Sequence, residues 1–139
     1  MSISRKSLSS KLKGQSLMET MVGLTILIPL GLFSFDLTYI LIANQNNEKL
    51  ADTAARAAAN YATNRSALKA AERVIEDFQT HSTYGKITLT SFDFNTGGNG
   101  QVSLVTEIDL KLPVAFGSWR SMMINAKGLQ PIVGIPAPR

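Results

Sequence analysis

The stretch Lys11–Leu30, KLKGQSLMETMVGLTILIPL, decides how the rest of the chain is read. It begins basic, passes through Gly14, and turns apolar with one carboxylate, Glu19, at the inner margin. A charge placed in lipid is costly and marks a functional position by default. The apolar run extends from Thr20 to Ala43 and is interrupted by one charge, Asp36. As a helix rising 1.5 Å per residue it spans about 36 Å, enough for a hydrocarbon core of about 30 Å.

Charge counting sets the border. The 139 residues carry a net charge of +4. Four of the 14 Lys and Arg residues (Arg5, Lys6, Lys11 and Lys13) lie in residues 1–14, MSISRKSLSSKLKG, which hold no acid. The remainder has 10 basic against 10 acidic side chains and is neutral. The basic character therefore belongs to a short leader and gives no reason to expect nucleic acid. A basic, Ser-rich N-terminus before an apolar run is a targeting arrangement. The cations near the span lie N-terminal to it, which predicts a cytoplasmic N-terminus and an outside C-terminus. A cleaved secretory signal fits less well, because the run is long for its apolar region and no clear A-x-A site follows it. A plain single-span anchor fits better.

The expected architecture is α+β. A transmembrane helix over 15–43 continues into an Ala-rich stalk helix over 44–63. Leu50, Ala54, Ala57, Ala58 and Tyr61 fall on one face at helical spacing. Ala51, Ala55, Ala59 and Ala54, Ala58, Ala62 form small-xxx-small ladders that let backbones approach closely; alanine is also simply the best helix former. TNRS, Thr63–Ser66, predicts a break and an N-cap. A second, amphipathic helix follows from Ser66 to about Thr80, with an Arg73–Asp77 pair at i,i+4. Residues 64–129 make a small extracytoplasmic region with an antiparallel sheet of about three strands, from Lys86–Phe94, Gln101–Leu112 and Arg120–Leu129. In the second strand Val102, Leu104, Ile108, Leu110 and Leu112 share one face, opposite Ser103, Glu107, Asp109 and Lys111. The tail, 130–139, is Pro-rich and expected to be extended and loosely held.

No catalytic, cofactor or metal constellation emerges. Cysteine is absent, which excludes a disulfide framework, a thiolate metal site and a cysteine nucleophile. His81 is the lone histidine and reads as a surface residue at a helix end. TGGNG lacks the Lys-Ser/Thr of a phosphate cradle and leads into a strand, so a hairpin turn is the better account. Glu107 and Asp109 read as a solvated strand face. Asp36 is expected at the outer interface in contact with water, the alternative being a second buried charge. With no nucleophile–base–orienter set in the linear sequence, the chain is not expected to be an enzyme.

The leader and span resemble the type III signal of type IV pilin-like proteins. That signal is a short basic leader ending in Gly, a cut after it, and Glu as the fifth mature residue at the start of an apolar helix. Gly14, Gln15 and Glu19 occupy those positions here. Within that superfamily the chain looks most like the TadE-like proteins of the tight-adherence (Flp) pilus system. In these a proline lies in the apolar stretch, as at Pro29. An Ala/Arg-rich helix follows, as at Ala51–Ala62, and then a small β-region with a late proline, as at Pro113. Thr20 stands where family members often carry an aromatic residue, and Gln15 stands where major pilins begin with Phe. The resemblance thus implies a minor pilin or pseudopilin in a bacterial inner membrane.

The implied partners are a prepilin peptidase cutting between Gly14 and Gln15, other pilin or pseudopilin subunits with their assembly machinery, and the lipid bilayer. Glu19 would meet the new α-amine of Gln15 on a neighbouring subunit and set the axial register. Pro29, which removes an amide hydrogen bond, would kink the helix. The alternatives are a major pilin of a related filament, or a single-span membrane protein with an extracytoplasmic interaction region.

Overall fold

Alternation of apolar and polar residues in the second half of the chain resolves into three antiparallel strands of matched length. They are β1 (Gly85–Asn95), β2 (Gln101–Lys111) and β3 (Ser121–Pro131), in the order β1-β2-β3. Two helices precede them, α1 (Lys6–Ala59) and α2 (Asn64–His81). The computed structural model describes residues 6–97, 100–114 and 120–133, with side chains from Gln15 onward. The architecture is α+β: a long N-terminal apolar helix, a second helix and a three-stranded antiparallel sheet.

The C-terminal half of α1 lies on β2 and β3, and α2 packs beside it over β1. Helices and inward strand faces share one core, in which Leu104, Ile108, Leu110 and Val102 are the largest fully buried apolar side chains. The inward row of β2 also includes Thr106, which the expected apolar face leaves out. β1 keeps its apolar residues inward by a phase change. The pairing with β2 shifts register between Leu89 and Ser91, leaving Thr90 as an extra residue. Ile87 and Leu89 therefore pack inward before the bulge, and Phe92 and Phe94 after it. Without the bulge, period-two alternation would turn both phenylalanines to solvent.

Several boundaries differ from expectation. Span and stalk form the one continuous helix expected of them, but that helix also takes in residues 6–14 of the leader and runs through Pro29. That helix stops at Ala59, so Ala62 lies outside it and is exposed, as is Tyr61. Thr63 is the N-cap of α2 in extended conformation, and the hydroxyl of Ser66 donates back to the Thr63 carbonyl at 3.2 Å. The expected Arg73–Asp77 ion pair is not formed. Among the described residues the one ion pair is Arg56 with Asp52, at 2.9 Å. Leu112 falls just past β2, and Arg120 just before β3.

The start of the tail is held rather than loose. Gln130 and Pro131 belong to β3. The Ile132 amide donates to the Gly100 carbonyl at 2.7 Å, and the Val133 amide donates to the Ala59 carbonyl at 3.1 Å, occupying an orphan acceptor at the end of α1. Residues 134–139 of the tail, residues 1–5 of the leader and Gly98–Asn99 of the expected turn lie outside the described residues.

Candidate functional site: the bare helix and its junction with the head

Among the described residues, the first half of α1 from Gln15 onward is left almost uncovered. Of the side chains from Gln15 to Phe35 all are exposed except the half-buried Gly23, and most are large and apolar. It is part of the one helix, among the described residues, that is long and apolar enough to cross a membrane. At 1.5 Å per residue the stretch is about 31 Å long, matching a hydrocarbon core of about 30 Å. Three of its hydroxyls are satisfied within the helix. Thr20, Thr25 and Ser34 each donate to the carbonyl four residues back, at 2.9, 2.8 and 2.9 Å. Such back-bonding satisfies a hydroxyl donor where water is absent.

Among the described residues, the first side chain of α1 to be buried against the head, the body formed by the later part of α1, α2 and the sheet, is Asp36. Asp36 is 4% exposed, and its carboxylate accepts the Val114 amide at 3.2 Å. The expectation that Asp36 faces water is therefore corrected: the backbone just past β2 covers it. A carboxylate removed from water requires hydrogen-bond donors; here a main-chain amide supplies one. One turn higher, Tyr39 meets Tyr84 in a tilted ring contact with centroids 5.4 Å apart, and the Tyr84 hydroxyl accepts from Asn46 at 3.0 Å. The opposite side of α1 stays apolar and exposed at Leu37, Leu41 and Ile42. Asp36→Ala is expected to free Val114 and destabilise the head by about 1 kcal/mol, read as a lower thermal midpoint in detergent.

Further along, the alanines form the seam between α1 and the rest of the head. Ala51, Ala54, Ala55, Ala58 and Ala59 are all buried. Part of this seam serves a helix–sheet contact rather than a helix–helix one. A Cβ built on Gly128 of β3 would lie 2.2 Å from the Ala51 carbonyl oxygen and 3.0 Å from the Ala55 methyl.

Between Asp36 and the seam lies a buried polar network that the sequence reading missed. The Asn47 amide donates to the carbonyls of Ile124 (2.9 Å) and Thr106 (3.4 Å), and the Thr106 hydroxyl donates to Asn47 Oδ1 at 2.8 Å. Asn47 and Thr106 are both fully buried. The available signal was polar residues at inward positions of otherwise apolar periodic rows.

The sites set aside earlier stay apart. His81 is exposed, with Nδ1 2.9 Å from the Asp77 carbonyl. No group of three His, Asp or Glu residues capable of holding a metal occurs among the described residues. TGGNG connects the antiparallel strands β1 and β2. Glu107 and Asp109 are half-buried on the outer face of the sheet, opposite Thr88 and Lys86. Gly14 and Gln15 lie within α1, and Glu19 is exposed one turn beyond Gln15 with no ion-pair partner among the described residues. Comparison with protein-family models, with curated proteins and with solved structures gave no match to this chain.

Proposed function

We propose that this chain is a TadE-like pseudopilin or minor pilin, a membrane-anchored structural subunit of a tight-adherence pilus assembly system. The observation that carries the reading is Gly14–Gln15, with Glu19 five residues after the glycine, at the border between an all-basic leader and a bare apolar helix. A head mounted on the outer half of that same helix supports it. The helix crosses the bacterial inner membrane once, with residues 1–14 cytoplasmic and the head outside.

A prepilin peptidase cuts between Gly14 and Gln15. Because this bond lies within α1, the helix must open there before the backbone enters a protease cleft. Glycine favours that opening, since it is a poor helix former and leaves the backbone unshielded. Cleavage removes four cations and creates an α-amine at Gln15. In an assembly that amine meets Glu19 of a neighbouring subunit, because a carboxylate in lipid strongly favours a cationic partner. The apolar faces of the helices bundle around this pair, and Pro29 gives the bundle a place to bend.

Expressed with a prepilin peptidase, the mature protein is expected to begin at Gln15, lighter by the leader's 14 residues in intact-mass measurement. Gly14→Ala should remain uncut, and a full-length mass in native membranes would sink the reading. Glu19→Ala should still be cut yet be lost from cross-linked complexes with other subunits.

A further inference from the structure

The cations of the mature chain lie where the bare helix alone would not put them. From Gln15 to Glu48 α1 carries no Lys or Arg; the first is Lys49, more than three turns beyond Asp36. Spans commonly display cations and amphipathic aromatics at the level of the lipid headgroups. The helix supplies no such cation, and the sheet does.

The end of the sheet nearest the bare helix is fixed by the Val114 amide on Asp36 and by the Tyr39–Tyr84 ring contact. At that end Lys111 pairs in register with Ser121, next to Arg120, whose carbonyl accepts the Leu112 amide at 3.2 Å. Lys86, near the start of β1, is two pairs further along, opposite Asp109. All three cations are exposed. The acids at this end are Asp109, half-buried beside Lys86, and Asp36, buried under Val114, so the exposed rim is net positive.

Depth agrees with charge. If Phe35 marks the edge of the hydrocarbon, the headgroup zone reaches about 5–7 Å further. Tyr39 stands about 4.5 Å above Asp36 along the helix. Lys111 is three residues from Val114, within about 10 Å of it. Lys and Arg stems are long enough to reach down to phosphate from there, and both groups bind phosphate oxygens well.

We propose that the rim formed by Lys86, Lys111 and Arg120 is a lipid-headgroup contact, seating the head on phospholipid phosphates and fixing its attitude to the bilayer. This rests on Gln15–Phe35 lying in the membrane, and the test separates the two ideas. The absence of cysteine makes single nitroxide labels unique. The full chain carrying Leu27→Cys, Ser121→Cys or Asn95→Cys is placed in nanodiscs of phosphatidylcholine, with or without phosphatidylglycerol. Label accessibility to oxygen and to a water-soluble nickel complex then reports depth.

The expected result is a Leu27 label in hydrocarbon, a Ser121 label at phosphate depth and an Asn95 label in water. Phosphatidylglycerol should lower nickel access at Ser121 further. Lys86→Glu with Lys111→Glu and Arg120→Glu should raise it to the Asn95 level with the far-UV circular dichroism unchanged. A wild-type Ser121 label as water-accessible as the Asn95 label in both lipids overturns the proposal, and would leave the rim for an acidic protein partner. If the Leu27 label is itself aqueous, the membrane reading has failed; if it is not, the rim proposal alone has.

Discussion

Gly128→Ala is expected to destabilise the head by about 3 kcal/mol and to lower its thermal midpoint by roughly 10 °C, measured by circular dichroism in detergent. The added methyl would sit 2.2 Å from the Ala51 carbonyl oxygen and 2.6 Å from its carbon. Both are main-chain atoms of a helix and cannot rotate away. Relief requires α1 and β3 to move apart, which loosens the alanine seam along its length. Adding Ala55→Gly removes only the contact at 3.0 Å and should rescue little. A Gly128→Ala protein with an unchanged midpoint would show that helix and sheet are not in such close contact.

Asn47→Leu should cost about as much, roughly 3 kcal/mol, for a different reason. Asn47 is fully buried with both of its amide atoms engaged. Leucine is of similar size, so little volume is lost. What is lost is the partner of the Thr106 hydroxyl and a donor to two carbonyls from adjacent strands. An unpaired buried donor costs far more than the net worth of the bond it made. Adding Thr106→Val, which removes that donor, should recover part of the loss. If the double variant is no more stable than Asn47→Leu alone, the hydroxyl is not the source of the penalty.

Both features explain what could and could not be read from the sequence. The strands of the head were legible because alternation in β2 is nearly unbroken and turn residues flank it. The exception inside that row, Thr106, is intelligible only through a residue 59 positions earlier, on a helix. Gly128 offered a local hint, since a glycine inside a strand marks a close approach, but not what approaches. Asp36 was misplaced for a similar reason. Nothing in the apolar run indicates that Val114 folds back onto it. For the candidate site, the proposed border at Gly14 and Glu19 is a reading of charge placement and of resemblance, and α1 runs through it as continuous helix. The junction of span and head was not legible, because it is made by contacts between residues far apart in the chain.

The continuity of α1 has a mechanical consequence. The head is packed along the C-terminal half of a rod whose 54 residues are about 81 Å long. The helix breakers Gly23, Pro29 and Gly31 all come before Asp36, the first residue the head grips. A bend at that pivot swings the head as one piece. With the far tip near Ala59 about 45 Å from Pro29, ten degrees of tilt carries it sideways by about 8 Å. A bend in the apolar half would therefore turn a small change in helix packing there into a large displacement of the surface at the other end.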